Sequence, residues 1–187
     1  MIIGITGQKR SGKDTVTAML TDSYPLMKFE RIALADAMKD FTQELLKMPL
    51  EDLEYLKDNE DVSITRDSAA VSMRHFLQTL GQGVKEITKD DLVWCKFLVS
   101  RLDPEVNYVI SDIRFPFEAT FFRDWAEGSM TKYLQFKVER KGCEPDGHVS
   151  EMFIDEIKED YLLSNNSTLD ALKTSVNQTL ISAILGK

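Results

Sequence analysis

The chain has 187 residues, of which 43% are hydrophobic and 29% charged, and its formal net charge is −8. These values are ordinary for one soluble globular domain and argue against a disordered, collagen-like or coiled-coil protein. The negative charge also argues against a nucleic acid polymer as partner, since phosphate would have to be bound by local basic clusters. No apolar run approaches the roughly 20 residues of a membrane span, and residues 1–5 lack the basic leader of a signal peptide. Two cysteines without metal or disulfide spacing favour a reducing cytoplasm.

The apolar pattern predicts strands that alternate with helices. Strands are predicted at 2–6, 29–35, 107–112, 133–139 and 161–163. Helices are predicted at 14–20, within the polar-rich stretch 37–103, and after Ser167, which would cap the last helix with Asp170 as its capping-box acid. The strand at 133–139 alternates apolar and polar residues, so we expect it to be less buried. This order implies a parallel sheet with helices on both faces, whose ligands lie beyond the carboxyl ends of the strands.

Two helices within 37–103 are defined more sharply. The first has apolar residues at helical spacing and is expected to end at Gly81: Met73, Phe76, Leu77 and Leu80. The second covers 92–102. The acidic stretch 51–61 has no clear apolar face and is interpreted as a solvated helix or loop. In the last helix the expected buried stripe is Leu169, Leu172, Val176, Leu180 and Ile184.

The clearest motif is Gly-x-x-x-x-Gly-Lys at 7–13, directly after a predicted strand and directly before a predicted helix. Glycines allow the backbone N–H groups of such a loop to surround a phosphate, and the helix N-terminus adds partial positive charge. Lys13 would reach the β- and γ-phosphates as a point charge. The Ser/Thr that usually follows this lysine is Asp14 here, so either Asp14 or Thr15 could contact Mg²⁺.

Two further pairs suit a second, anionic substrate. Asp112 ends a predicted strand, where a carboxylate can organise Mg²⁺ and its water or orient the acceptor, and Arg114 just beyond it can hold a phosphate. Arg74 and Gln78 lie four residues apart on the polar face of a predicted helix, and they offer a phosphate fork and a base-reading amide. Either pair on its own is more typical of turn residues or a solvated face. The phosphate loop favours the functional interpretation.

The segment 140–150 is rich in glycine and charge and is predicted to be a lid over the triphosphate, with Arg140 as the transition-state arginine. His148 has no second histidine at ligand spacing, so a zinc site is not expected. We favour His148 as a structural or lid hydrogen-bonding residue over a catalytic base.

Several motifs together resemble the phage deoxynucleoside monophosphate kinases, within the P-loop nucleoside monophosphate kinase superfamily. The resembling segments occur in order along the chain: 7–15, 34–40, 74–81 with Trp94, 110–114, 138–140 with 148–151, and 163–169. At 165–167 the family often has Asn-Asp-Gly, whereas this chain has Asn-Asn-Ser. The resemblance implies an α/β core at about 1–36, 104–122 and 133–187, an acceptor-binding helical insertion at about 37–103 and a short lid at about 140–150.

The resemblance also implies roles for individual residues. Those implied to hold ATP are Gly7, Ser11, Gly12, Lys13, Asp14, Thr15, Asn165 and Asn166. Those implied to surround the acceptor are Lys9, Arg10, Asp36, Lys39, Arg74, Gln78, Trp94, Asp112 and Arg114. Catalysis would fall to Lys13, Arg114 and Arg140, and Mg²⁺ to Asp14 and Asp112, directly or through water.

The reaction expected from the motifs and the resemblance is transfer of the ATP γ-phosphate to a deoxynucleoside monophosphate. Two alternatives remain: a P-loop kinase of another small acceptor such as dephospho-coenzyme A, and a nucleotide-binding ATPase or regulator without an acceptor. The resemblance further implies frequent homodimers and, for a phage-encoded protein, the host cytoplasm.

Overall fold

The computed structural model describes residues 1–24, 27–59, 61–64, 71–143 and 149–186. Its strands are β1 (Ile2–Thr6), β2 (Phe29–Ile32), β3 (Asn107–Ile110), β4 (Tyr133–Glu139) and β5 (Tyr161–Ser164). Its helices are α1 (Lys13–Ser23), α2 (Leu34–Leu46), α3 (Leu50–Asp58), α4 (Met73–Thr88), α5 (Val93–Val99), α6 (Pro116–Gly128), α7 (Val149–Met152) and α8 (Leu169–Leu185), with a 3-10 turn at Ile154–Glu156. Of the helices in these ranges, none combines the length and apolar content needed to cross a bilayer.

All the strand pairs in the sheet are parallel, and the strand order is β2-β3-β1-β4-β5. β1 lies in the centre, between β3 and β4. The loop after β1 therefore leaves the sheet at its middle, with strand ends on both sides. This is the edge at which parallel α/β sheets bind ligands, and the parallel architecture predicted from the sequence is confirmed.

The chain divides into two compact units, one formed by residues 1–33 and 102–187 and the other by residues 34–101. The first contains the sheet, and Ile3 and Ile5 of β1 pack in its core with residues of α1 and α8. The second contains α2 to α5 around a small core of Leu53, Met73 and Leu77. The roles of these units as kinase core and acceptor-binding insertion remain predictions.

β4 is more buried than its alternating sequence predicted, and that prediction is wrong. Leu134, Phe136 and Val138 face the core shared with α1 and α8. The polar residues between them are buried too, since Gln135 is 0% exposed and Lys137 is 8% exposed. Burial opposes the charge of Lys137, but hydrogen bonds to Asp155 and Glu139 outweigh it and raise its pKa. The alternation of apolar and polar residues in β4 thus reflects two buried faces of the strand, one apolar and one polar.

Two predicted strands extend too far. The strand predicted at 29–35 ends at Ile32, because α2 begins at Leu34. Leu34 and Ala37 are buried, so the apolar residues that lengthened this prediction belong to an amphipathic helix. The strand predicted at 107–112 ends at Ile110, which leaves Asp112 in the turn that follows.

Helix ends also differ from the predictions. α4 continues through Gly81 to Thr88 and ends with Lys89 in the left-handed region, at φ 53°. The helix predicted at 92–102 is shorter, at Val93–Val99. Gly81 lies inside α4, where the absence of a side chain allows close packing. A Cβ at this position would lie only 2.6 Å from Sδ of Met38.

The last helix is capped one residue later than predicted, since Thr168, and not Ser167, accepts the hydrogen bond from the Ala171 N–H. Its predicted buried stripe is correct at Leu172, Val176 and Leu180. Leu169 and Ile184 are exposed instead, and Ala183 is buried. The helix α6 was not predicted at all, although Pro116 at its first position and Glu118 at its third are typical of a helix start.

Candidate functional site

The phosphate loop connects β1 to α1 and depends on two glycines. Gly7 has φ 151° and Gly12 has φ 106°, a region that favours glycine. A Cβ on Gly7 would lie 2.4 Å from the carbonyl oxygen of Val138, and one on Gly12 would lie 2.4 Å from Nδ2 of Asn165. Both distances are far below van der Waals contact. The loop therefore needs glycine for its backbone conformation and for its close approach to two neighbouring segments.

Lys13 is the first residue of α1, and its side chain turns back over the loop. Its Nζ donates to the carbonyl oxygens of Gly7 at 2.7 Å and Gln8 at 2.8 Å. Burial lowers the pKa of Lys13, and the charge of Arg114 lowers it further. Three groups act in the opposite direction: Glu151, Asp14 and Cys143. The ammonium is thus held in the loop by backbone oxygens, in an environment of mixed charge.

The turn after β3 carries Asp112 and Arg114, and a buried carboxylate shapes it. Oε2 of Glu118 accepts hydrogen bonds from the backbone N–H of Arg114 at 2.9 Å and of Phe115 at 3.1 Å. Glu118 is buried, whereas the Arg114 side chain is exposed. The acid thus fixes the backbone from which Arg114 projects. Sequence reasoning missed Glu118, although its spacing from Pro116 could have revealed it.

Asn165, at the end of β5, joins three segments. Its Nδ2 donates to the carbonyl oxygen of Ser11 at 2.8 Å, and its backbone N–H donates to the carbonyl oxygen of Glu139 at 2.7 Å. Oδ1 of the neighbouring Asn166 accepts from the backbone N–H of Lys141 at 2.6 Å. These asparagines therefore tie the phosphate loop to the end of β4. Their role beside a donor adenine remains a prediction.

Arg140 follows β4 and is exposed. The structure describes the predicted lid only at residues 140–143 and, by backbone, at 149–150; His148 lies outside the described residues. Lys9 and Arg10 are exposed in the phosphate loop, and Arg10 has a left-handed φ of 65°.

In the unit 34–101, Lys39 and Arg74 lie against the acidic helix α3. Lys39 Nζ is 2.6 Å from Oε1 of Glu54 and 3.8 Å from Oδ1 of Asp36. Nη2 of Arg74 donates to the carbonyl oxygen of Lys57 at 3.3 Å and lies 3.8 Å from Oδ1 of Asp58. α3 is thus more than a solvated acidic segment, because its carboxylates contact cations that were predicted to bind the acceptor.

Trp94 and Gln78 differ in their surroundings. Nε1 of Trp94 donates to the carbonyl oxygen of Gly81 at 3.1 Å, so its indole holds α5 against α4. Gln78 is exposed on α4, one turn beyond Arg74. The predicted pairing of Arg74 with Gln78 on one helix surface is compatible with the extent of α4.

Two carboxylates fit a magnesium ion that is held largely by substrate phosphates. Asp14 is exposed on the first turn of α1, and Asp112 is half-buried after β3. Mg²⁺ in phosphoryl-transfer sites usually takes one or two carboxylates, phosphate oxygens and water. Within the described ranges, no cluster of three or more His, Cys, Asp or Glu side chains could hold a metal ion by itself.

The deoxynucleotide monophosphate kinase family model matches residues 47–176. This region covers more than half of the chain and begins after the phosphate loop, so the match and the loop geometry are independent observations. No curated protein sequence matches the chain.

Several solved structures have a similar fold. A putative kinase from Chloroflexus aurantiacus has 13% identity and a TM-score of 0.50, with 97% of this chain and 96% of that one covered. A gluconokinase from Sinorhizobium meliloti has 13% identity and a TM-score of 0.49 over 99% and 96%. Mycobacterium tuberculosis APS kinase in complex with AMPPNP and APS has 12% identity and a TM-score of 0.48 over 98% and 96%. At 13% identity the likeness to the Chloroflexus protein concerns the fold alone, and it agrees with the α/β fold that the sequence predicted.

Proposed function

Because the chain belongs to the deoxynucleotide monophosphate kinase family and is a P-loop phosphotransferase, we propose that it converts ATP and a deoxynucleoside monophosphate into ADP and the corresponding diphosphate. The observation that carries this proposal is the phosphate loop, where two sterically required glycines and Lys13 stand at the central strand of the sheet. The family match supports the nature of the acceptor independently.

The proposed donor site is the loop 7–15. Backbone N–H groups there and the start of α1 would bind the ATP phosphates, together with the hydroxyls of Ser11 and Thr15. The Ser11 Oγ supports this assignment, since it is buried and has no hydrogen-bond partner among the described residues. Asn165 and Asn166 would border the donor adenine from the segment that already contacts the loop.

In the proposed reaction, an oxygen of the acceptor phosphate attacks the γ-phosphorus in line. The bond between that phosphorus and the oxygen bridging to the β-phosphate breaks, and ADP leaves with the electron pair. No strong general base is needed, because the attacking oxygen is already anionic. Lys13, Arg114 and Arg140 would stabilise the charge that develops on the transferring group.

Asp14 and Asp112 would hold Mg²⁺ together with the ATP phosphates. The metal, when bound, neutralises charge on the β- and γ-phosphate oxygens. Lys13 would then contact the phosphates from the loop side, after exchanging its hydrogen bonds to Gly7 and Gln8 for phosphate oxygens.

The proposed acceptor-binding residues are those that the resemblance implies: Lys9, Arg10, Asp36, Lys39, Arg74, Gln78, Trp94, Asp112 and Arg114. Arg74 would bind the acceptor phosphate and Gln78 its base edge, since a primary amide offers both a donor and an acceptor. Lys39 and Arg74 would exchange carboxylate contacts with α3 for contacts with phosphate.

The proposal includes a homodimer and a cytoplasmic location, in the host if the chain is phage-encoded. Its support is the resemblance to the phage enzymes, and Cys95 and Cys143 remain thiols, as a reducing compartment maintains them.

A coupled assay of ADP formation tests the proposal. The protein receives Mg²⁺ and ATP, then each deoxynucleoside monophosphate, each ribonucleotide counterpart or dephospho-coenzyme A. We expect ADP to form in step with a nucleoside diphosphate, and only when a deoxynucleoside monophosphate is present. Steady ATP hydrolysis unaffected by every acceptor would contradict the kinase function, and phosphorylation of dephospho-coenzyme A alone would contradict the proposed acceptor.

A further inference from the structure

Glu151, in α7, is a carboxylate buried beside the phosphate loop. Its side chain is 5% exposed, and its Oε2 accepts a hydrogen bond from the backbone N–H of Lys9 at 3.1 Å. The adjacent loop residue Gln8 donates from Nε2 to the carbonyl oxygen of Glu151 at 3.2 Å. Two hydrogen bonds thus join α7 to consecutive residues of the loop, across more than 140 positions of sequence.

A buried carboxylate is unfavourable unless positive charge or several donors surround it. Lys13 supplies positive charge here, since its ammonium interacts electrostatically with Glu151. The same ammonium donates to the carbonyl oxygens of Gly7 and Gln8, on the stretch of loop that Glu151 holds at Lys9. One carboxylate therefore acts on both the backbone of the loop and its lysine.

We propose that Glu151 is a positioning residue for phosphoryl transfer, which holds the phosphate loop in its ATP-binding conformation by accepting the hydrogen bond of the Lys9 amide. This role rests on the proposed function for its catalytic consequence, but it concerns ATP binding first. It also links the segment that follows the proposed lid to the phosphate loop.

Three variants test the hydrogen bond between Glu151 and the Lys9 amide. Glu151→Ala removes the acceptor. Glu151→Gln keeps the size of the side chain and an oxygen that can accept from Lys9. Glu156→Ala is the matched control, because it removes an exposed carboxylate five residues further along the same segment.

The measurement is the Kd for ATP without acceptor, with kcat/KM for ATP and the melting temperature of each variant. We expect Glu151→Ala to weaken ATP binding about tenfold, as loss of a buried hydrogen-bond acceptor does. Glu151→Gln should recover most of that affinity, and Glu156→Ala should match the wild type.

A Glu151→Gln variant that binds ATP as weakly as Glu151→Ala would overturn the proposal, because its amide oxygen can still accept from Lys9. So would a Glu151→Ala variant with a lower melting temperature and unchanged ATP affinity, which would make Glu151 merely structural. ATP binding without acceptor tests Glu151 even if no monophosphate is phosphorylated, so failure of this inference and failure of the proposed function are distinguishable.

Discussion

The phosphate loop and the helical unit 34–101 hold their cations in different ways. In the loop, Lys13 donates to two backbone carbonyl oxygens, and the loop itself follows the end of the central strand β1. In the helical unit, Lys39 and Arg74 lie against the carboxylates of Glu54 and Asp58. A phosphate entering the loop meets a preformed backbone cradle, whereas one binding Lys39 or Arg74 replaces an existing ionic contact.

This difference between the two regions predicts which mutations should have the larger effects. A phosphate that binds Lys39 or Arg74 exchanges one anionic partner for another, so part of its binding free energy is offset by the lost carboxylate contact. A charge that stabilises the transferring phosphates in the transition state commonly contributes a few kcal/mol. We therefore expect the largest losses in the loop and smaller, substrate-dependent losses in the helical unit.

The largest effect is expected for Lys13→Met, which removes the point charge and leaves the backbone cradle. We expect kcat to fall at least ~10²-fold, measured by the coupled assay at saturating ATP and acceptor. Lys173→Met, at an exposed position of α8, is the control and should keep the wild-type rate. A Lys13 variant that retains more than a third of wild-type kcat would show that the loop is not used for transfer.

A smaller effect is expected for Arg74→Ala. It should lower kcat/KM for the acceptor by about 1.5–3 kcal/mol, as loss of a charge-assisted hydrogen bond does, while the Kd for ATP measured without acceptor stays unchanged. His75→Ala, exposed at the next position of α4, is the control. Because the Arg74 guanidinium also donates to the Lys57 carbonyl, the melting temperature should fall by a few degrees at most. Equal weakening of ATP and acceptor binding would remove the distinction between the two regions.

The smallest effect is expected for Gln78→Leu, which should change the order of preference among acceptors. A lost contact to a base edge penalises only the bases that used it, so the order of kcat/KM among acceptors should change by about tenfold or less. Gln82→Leu, exposed one turn further along α4, is the control. A uniform loss for all acceptors would mean that Gln78 does not read the base.

The strands and the loop were predictable because their signals are local. β1 is a short apolar run, and the glycine spacing that follows it carries its own steric reason, seen at Gly7 and Gly12. The burial of β4 was not predictable in the same way, since the partners of Lys137 lie elsewhere in the chain, as with Asp155. α6 was not predicted, although Pro116 at its first position is a local signal of a helix start.

Among the charged residues, too, local roles were predictable and distant contacts were not. The position of Lys13 in a compact loop follows directly from the motif. The acidic stretch 51–61 could not be interpreted from its sequence, because the contact between Glu54 and Lys39 depends on how α3 packs in its unit. Glu151 was equally hidden: its hydrogen bond to Lys9 joins residues 142 positions apart.

The central position of β1 also affects when its neighbours in the sheet become available. β1 precedes both of its partner strands in the chain, and Ile2 pairs with Tyr108 and Tyr133. At about 5–20 residues per second, the chain between Ile2 and Tyr108 takes roughly 5–20 s to translate. Ser11 accepts from the side chain of Asn165, which is made later still. β1 and the phosphate loop therefore leave the ribosome well before their partners, and long-range pairing of this kind is a slow step in folding.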